Sequence, residues 1–500
     1  MITFATLFLG LTWGAQVIEV VAPPPAARVE LLLDGAAVAS DAEPPWFFEC
    51  DLGDEPAPHL LEAVAYGASG RELARTRQTV NLALPRAEAR AVLERADDGR
   101  AEAVRLAWQS VHDAEPAAVE VFFDGEPVPV EDPRRIPLPE HDPGALHVVS
   151  AELSFAGGAQ ARADVAFGGD FGDAISTENT AVAVRVDSER ALRGRGDAEG
   201  LVTVDGEPLP VLAVEHERAD LVFVVERSAR DPLMSMGWDL REREGAPAYR
   251  QERPGPRRLP ENGSPRGSRT LSIPRSPAAR SLSRSGLRGD DRMFLMLPVA
   301  APAPGATPYD LFPLSQPFTS QHGGSAWVLT GHPGPAAGRP GQHVARAVAV
   351  AGIHAASGNR PRAVVLVLGP APDEASPFSP AVARRFLARL RVPLEVWYVE
   401  KSWKAMRGDE RRAFWKGQGD VPRKARLVVR NHDEDRARRR DLAAAGWGTP
   451  RDVDSLETLL EQARRLRADL ERQRVLWVAG LHLPGDVDLA DRRGGVELLE

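Results

Sequence analysis

The sequence predicts a multidomain chain in which two small all-β sandwiches precede an α/β domain with a doubly wound, mostly parallel sheet. In the first half, a strand, an Asp-Gly turn and a second strand recur about every 90 residues. After residue 219 the pattern changes to continuous apolar runs, such as "DLVFVV" and "RAVVLVLG", which alternate with amphipathic helices. A chain of 500 residues also exceeds what one hydrophobic core usually supports.

The chain opens on an apolar segment, "MITFATLFLGLTWGAQ", that ends in small residues near Gly14 and Ala15. Its length suits the core of a signal peptide, so we expect residues 1–15 to be a signal peptide and the protein to be exported to the periplasm, the cell surface or the medium. The alternative is a buried first strand. Because no later segment reaches 18 apolar residues, we expect no integral membrane span.

Two segments of the first half share one pattern. "VELLLDGAAVAS" and "VEVFFDGEPVPV" each predict a hairpin with an Asp-Gly turn, and each is followed by an alternating strand that opens with a histidine. The separation from Asp34 to His59 is 25 residues, and that from Asp124 to His147 is 23. This spacing predicts two antiparallel β-sandwiches.

The two sandwiches span 17–82 and 83–168 and resemble bacterial immunoglobulin-like domains that carry a "DG" hairpin and a late "H-x-V-x-A" strand. We expect both histidines to be packed on their strands, because no second metal ligand lies at a suitable spacing. The single cysteine, Cys50, excludes an internal disulfide framework and a Cys-rich zinc site.

The α/β half begins after a β lead-in at 169–218 that contains a third hairpin, "DGEPLPV". We expect the α/β domain to span 219–480, with a helix in "SPAVARRFLARL", a strand in "VPLEVWYV" and a second helix capped by Asp454 with Glu457 three residues on. "RVLWVAG" then returns as a strand of the doubly wound sheet, and 481–500 is a C-terminal tail.

Charge and composition exclude some functions. Residues 16–220 hold 17 Arg against 39 Asp and Glu, a net charge of −22 where the whole chain carries −9, so this half repels nucleic acid. The stretch 245–288, as in "RGSRTLSIPRSPAARSLSRSG", is rich in Arg, Ser and Pro without apolar periodicity, and we expect it to be a disordered insertion. It lacks the interleaved aromatic residues of a nucleic-acid-binding arm, so we expect no nucleic-acid partner.

The order of segments after residue 180 resembles a von Willebrand factor A (VWA) domain, in particular the exported VWA-related proteins of acidobacteria. The matching segments are "ADLVFVVERS", "LRGDDRMFLMLPV", "GGSAW", "AVVLVLG" and "VPLEVWYV". The resemblance implies a Rossmann-like, VWA-type α/β fold with a Mg²⁺ or Mn²⁺ site at the carboxyl end of the sheet. A complete site has Asp-x-Ser-x-Ser after the first strand, a later Thr and an Asp after the central strand.

This chain keeps only part of that pattern. Glu226 stands in place of the first Asp, Ser228 matches the middle hydroxyl, and Ser325 replaces the Thr. Arg230 stands where the last hydroxyl belongs, and the loop after the central strand reads "LGPAPDEAS", with Asp373 too far along to be a confident ligand. Because Mg²⁺ requires near-octahedral oxygen ligands, we expect no bound cofactor and a structural strand end in which Arg230 pairs with Glu226.

The sequence therefore favours a non-catalytic, exported protein that binds a protein partner or acts as a scaffold through a degenerate VWA-type domain. One alternative is a Mg²⁺-dependent adhesion protein with a variant site at Glu226, Ser228 and Ser325. A second is an enzyme of unrecognised type, although the chain contains no G-x-S-x-G, H-E-x-x-H, P-loop or strand-associated G-x-G-x-x-G motif.

Overall fold

The computed structural model describes most of the chain, and all structural statements below concern these residues. They are 2–6, 8, 11–82, 87–96, 100–110, 115–145, 147–155, 160–168, 171–175, 179–188, 191–216, 219–233, 236, 291–299, 312, 314, 341–358, 360–402, 406, 408, 411, 425–490 and 495–499. The expected insertion at 245–288, the "GGSAW" segment and Ser325 lie outside them.

The first sandwich is built from seven strands in two antiparallel sheets. One sheet has the order β1-β2-β5 and the other the order β4-β3-β6-β7, an immunoglobulin-like arrangement. Alternate side chains of both sheets, such as Ile18, Leu31 and Leu61, fill one core. The strands are β1 (Thr3–Phe4), β2 (Ala15–Val21), β3 (Arg28–Leu33), β4 (Ala36–Asp41), β5 (Trp46–Asp51), β6 (His59–Tyr66) and β7 (Glu72–Val80).

The segment expected to be a signal peptide belongs to this sandwich. Strand β1 pairs with β2 through Thr3 and Val21 and through Phe4 and Val20. Ile2, Phe4 and Phe8 are buried in the sandwich core. In the folded chain this run therefore forms a first strand whose apolar side chains fill the sandwich, and the removal of residues 1–15 as a signal peptide stays a prediction.

The second sandwich repeats the arrangement. Its sheets have the orders β12-β9-β8 and β11-β10-β13-β14-β15 around a separate core. The last strand lies in 169–218, the expected lead-in, yet it pairs with β14 of this sandwich. The strands are β8 (Ala87–Arg95), β9 (Ala101–Ser110), β10 (Ala118–Phe123), β11 (Glu126–Val128), β12 (Ile136–Pro137), β13 (His147–Ser154), β14 (Gln160–Gly168) and β15 (Phe171–Ile175).

The three predicted Asp-Gly hairpins are present. Asp34, Asp124 and Asp205 have φ values of 52°, 50° and 51°, and the glycine that follows each of them also has a positive φ. Two successive residues with positive φ form the type I′ turn, whose twist matches that of the flanking strands and which Asp-Gly adopts readily.

A third β unit combines segments from both sides of the α/β domain. Its sheets have the orders β19-β25-β16-β27 and β18-β17-β26. Its elements are β16 (Asn179–Val186), α1 (Arg195–Ala198), β17 (Val202–Val204), β18 (Glu207–Pro208), β19 (Val211–Glu215), β25 (Gln473–Ala479), β26 (Val487–Leu489) and β27 (Val496–Leu498).

Strand β25, the "RVLWVAG" segment, differs from our expectation. It pairs antiparallel with β16 and β19 instead of joining the parallel sheet. Six of its seven residues are buried, so it reads as the continuous apolar run of a parallel strand although it lies in an antiparallel sheet. The α/β domain is therefore inserted between β19 and β25, and the expected tail supplies β26 and β27.

The α/β domain has a five-stranded parallel sheet of order β21-β20-β22-β23-β24. One apolar core lies on each face, with α2 and α3 on one side and α5 on the other, so the sheet is doubly wound as predicted. The elements are β20 (Asp220–Val225), β21 (Arg292–Met296), α2 (Val344–Ser357), β22 (Arg362–Leu368), α3 (Pro380–Arg389), β23 (Leu394–Val399), α4 (Ala425–Ala443), β24 (Arg451–Val453) and α5 (Leu456–Glu471).

One local prediction changes in this domain. Helix α5 is capped by Ser455, whose hydroxyl accepts from the Thr458 amide in a capping box, rather than by Asp454 with Glu457. After β20 the chain has a helical turn at 230–233. Among the described helices, none is long and apolar enough to cross a membrane.

The first sandwich contacts the α/β domain beside α3. Leu11 is part of the core on the α2 and α3 side of the sheet, and the Trp13 ring meets Phe378 edge-on at 5.6 Å. Arg385 of α3 donates to Glu55 in the sandwich, with Nε 3.2 Å from the carboxylate. Residues near the N terminus therefore join two domains as well as completing a sheet.

Candidate functional site at the carboxyl edge of the parallel sheet

The carboxyl ends of β20 and β22 meet the start of α2 at one edge of the sheet, where open α/β sheets bind ligands. Glu226 follows β20, Gly369 follows β22, and Gln342 lies two residues before α2. With Ser228, these residues form what we call the Glu226 cluster. It is the position at which the VWA resemblance implies a cation.

Glu226 lies at the centre of the cluster and is fully buried. One carboxylate oxygen, Oε1, accepts from Gln342 Nε2 at 2.6 Å. The other, Oε2, accepts from the Ser228 amide at 2.9 Å and from the Ser228 hydroxyl, and the Gly369 amide lies 3.4 Å away. The protein itself therefore supplies donors to both oxygens of the carboxylate, as a buried charge requires.

Ser228 is held in place by the short 3-10 helix over Arg227–Ala229, for which Glu226 is the N-cap. The carboxylate accepts the second amide of this turn, which is the usual role of an acidic N-cap residue. The Ser228 hydroxyl also accepts from the Ala371 amide at 3.2 Å. A single hydroxyl thus joins the loop after β20 to the loop after β22.

Gln342 is the residue of the cluster that the sequence did not reveal. It is 1% exposed, and its amide oxygen accepts from the Arg227 amide at 3.0 Å while its amide nitrogen donates to Glu226. The backbone carbonyl of Gln342 accepts from the Ala375 amide at 2.6 Å. Gln342 is neutral, and its side-chain N–H donates to the carboxylate at the position where a cation would bind in a complete site.

The loop after β22 lies directly on the loop after β20. A Cβ atom added to Gly369 would lie 2.2 Å from the Ser228 carbonyl carbon and 2.3 Å from the Ala229 nitrogen. Only glycine allows two backbones to approach this closely. The carboxyl ends of the two central strands are therefore closed against each other by direct contact.

The structure brings Glu226 and Ser228 together, but not in the way the sequence suggested. The expected pair between Glu226 and Arg230 is replaced by donors from Ser228, Gln342 and Gly369, and the Arg230 Nε is buried without a hydrogen-bond partner. Asp373 faces Arg227 instead, at 3.7 Å. In the described part of the chain, no three His, Cys, Asp or Glu side chains form a cluster that could hold a metal ion.

The same edge of the sheet is closed by ion pairs farther along, after β23 and within β24. Arg439 donates to Glu400 with a separation of 2.6 Å, and Arg436 donates to Asp452 at 3.0 Å. Burial, followed by a hydrogen bond to Glu400, raises the pKa of the fully buried Tyr398 well above its usual range. The phenol therefore stays protonated and serves as a donor.

No family model and no curated protein matches the chain. Among solved structures, the chain is similar to fibronectin(III)-like modules of Clostridium thermocellum CbhA, with 22% identity over 16% of this chain and 93% of that one at a TM-score of 0.15. It is also similar to the central fibronectin-III array of RIM-binding protein, with 10% identity over 42% and 84% at a TM-score of 0.20.

Proposed function

We propose that this chain is a non-catalytic, exported binding or scaffold protein whose α/β domain contacts a protein partner without a bridging metal ion. The observation that carries the proposal is the Glu226 cluster. Its carboxylate is fully buried and receives its hydrogen bonds from Ser228 and Gln342.

A cation that bridges to a partner needs open coordination positions at the surface and anionic oxygen ligands that are free to bind it. In this chain the acidic oxygens are directed inward and the two loops are in contact at Gly369. Binding Mg²⁺ at Glu226 would require breaking the bonds from Gln342 and Ser228 and separating the loops. The VWA-type pattern is thus better suited to holding the fold together than to binding an ion.

The β modules support a scaffold role. Two immunoglobulin-like sandwiches precede the third β unit. The first of them contacts the α/β domain where Trp13 meets Phe378 and where Glu55 accepts from Arg385 of α3. Such modules commonly present loops and sheet faces to partners while the core stays rigid. The partner would then contact the assembled chain, not a catalytic centre.

The test is cross-linked capture from the cell envelope with the full chain as bait, in parallel with Mg²⁺ and with EDTA. The proposal predicts a captured protein whose recovery is the same in both conditions and is unchanged by Ser228→Ala. Recovery that requires Mg²⁺ would favour the adhesion alternative and contradict the metal-free proposal.

Export is tested separately by cell fractionation with N-terminal sequencing. A signal peptide at residues 1–15 predicts an exported mature chain that begins after Ala15, whereas the pairing of β1 with β2 and the burial of Phe8 predict that these residues stay attached to the folded chain. Recovery of the folded chain from the cytosol alone would contradict the exported location, and recovery of a mature chain that begins after Ala15 would contradict the structural role of the segment.

A further inference from the structure

The Asp-Gly turn of the second sandwich is tied to strand β13 through one aspartate and one histidine. Asp124 accepts from the Val148 amide at 2.8 Å through Oδ1, and its Oδ2 lies 2.6 Å from His147 Nδ1. The Asp124 amide in turn donates to the Val148 carbonyl at 2.9 Å. This carboxylate therefore fixes the turn against the first two residues of β13.

The other ring nitrogen of His147 faces a second acceptor. Nε2 lies 2.8 Å from the carbonyl oxygen of Asp142, in the loop between β12 and β13. An ionised carboxylate and a carbonyl accept hydrogen bonds but cannot donate them, and a neutral imidazole carries only one N–H. Both contacts are therefore satisfied together only when His147 is the imidazolium ion.

The surroundings of the ring fit a positive charge. The His147 side chain is 10% exposed, and its ring stacks on Phe123 at 5.1 Å with 26° between the planes. An aromatic face attracts a cation. The titratable groups that face the ring are Asp124, Asp142 and His141, whose ring is 5.1 Å away, while β14 presents Phe167.

Burial opposes this charge, but the bonds outweigh it. Desolvation alone lowers the pKa of His147, and the hydrogen bonds to Asp124 and to the Asp142 carbonyl raise it above its ordinary value. The geometry and the charges thus favour the same protonation state.

We propose that His147, Asp124 and the Asp142 carbonyl form a proton-operated latch. When protonated, His147 ties the Asp-Gly turn and the loop at 138–145 to the start of β13. On deprotonation the remaining N–H stays on Nδ1, because the charged carboxylate is the stronger acceptor. The Nε2 lone pair then faces the Asp142 oxygen, and the proton lost goes to water.

Release of the latch is local. The loop keeps its own turn, in which the Ala145 amide donates to the Asp142 carbonyl at 3.0 Å. It also lies against Gly168, where an added Cβ would meet the Ala145 oxygen at 2.2 Å. Because these two contacts do not involve His147, its deprotonation loosens the loop with rising pH while the sandwich core stays folded.

The first sandwich contains the same arrangement, which provides a matched control. His59 Nδ1 lies 2.8 Å from Asp34 Oδ2, and His59 Nε2 lies 3.2 Å from the Leu52 carbonyl. The Leu60 amide donates to the other Asp34 oxygen at 2.8 Å. A substitution at Asp34 removes an equivalent carboxylate in a different domain.

The test is histidine C2-hydrogen exchange followed by mass spectrometry on the full chain across a pH series. For the peptide that contains His147, we expect a titration midpoint above that of the same peptide in the urea-unfolded chain. Asp124→Asn should shift this midpoint downward, and Asp34→Asn should leave it unchanged. A wild-type midpoint at or below the unfolded one, or one insensitive to Asp124→Asn, would overturn the latch.

Amide exchange supplies a second readout that does not depend on a variant. After correction for the intrinsic effect of pH, residues 138–145 should lose protection as pH rises through the His147 midpoint, while β10 keeps its protection. Equal loss in β10 would show general unfolding instead of a released loop and would contradict the proposal. If Asp124→Asn does not fold, the wild-type titration midpoint of His147 and the amide exchange of residues 138–145 still test the latch.

Discussion

Replacing Gln342 by Met tests whether the Glu226 cluster holds the two central strand ends together. Met fills a similar volume, so the change removes two hydrogen bonds without opening a large cavity. The bond to the Glu226 carboxylate, at 2.6 Å, contributes about 1.5–3 kcal/mol, and the bond from the Arg227 amide, at 3.0 Å, about 0.5–1.5 kcal/mol. Together the two bonds predict a loss of about 3 kcal/mol.

This loss is best measured locally, because a multidomain chain has no single free energy of unfolding. Amide exchange of β20 and β22 reports the opening of the sheet, and about 3 kcal/mol corresponds to roughly a hundredfold faster exchange. Gln462→Met is the matched control: Gln462 is buried, but its side-chain oxygen has no hydrogen-bond partner. If both variants exchange at the wild-type rate, Gln342 does not hold the strand ends and the reasoning fails.

Three further results are expected. Gly369→Ala forces the loops apart and should destabilise the sheet by about 1–3 kcal/mol, whereas Gly196→Ala, which has open space around it, should not. Equal amide exchange of β20 and β22 in the two variants would contradict the close approach. Trp13→Ala removes the contact with Phe378 and should increase the radius of gyration in small-angle scattering; an unchanged value would show that this contact does not join the domains. Because the pKa of His147 is raised, its stabilising contribution should be complete below about pH 6.5 and lost as pH rises through the folded pKa. Amide protection in β13 that increases over that range would contradict this pH dependence.

The sequence predicted the elements whose local pattern is unambiguous. The Asp-Gly turns were predictable because positive φ at two residues restricts the choice of residues, and the strands around Phe223 and Leu366 were predictable as apolar runs buried on both faces. The apolar run of β25 has the same appearance, so its pattern did not reveal that it pairs with β16 and β19. Pairing partners depend on tertiary contacts that a local pattern does not encode.

The Glu226 cluster was likewise only partly predictable from the sequence. The departures from the VWA pattern at Glu226 and Arg230 predicted an altered strand end. Gln342 could not be found in this way, because it is 116 residues from Glu226 and the segment before α2 in which it lies carries no recognisable motif. The segment at 1–15 is ambiguous for a related reason: its apolar composition suits both a signal peptide and a first strand, and in the folded chain Phe4 pairs with Val20.

Calorimetric titration of the full, EDTA-treated chain with Mn²⁺ tests the central claim most directly. Glu226 is buried and already receives hydrogen bonds from Ser228 and Gln342, so no saturable binding is expected at this position. Heats should therefore be the same for the wild type and for Glu226→Gln. Saturable Mn²⁺ binding that is lost in Glu226→Gln would contradict the account, because it would show that the cluster opens to hold an ion.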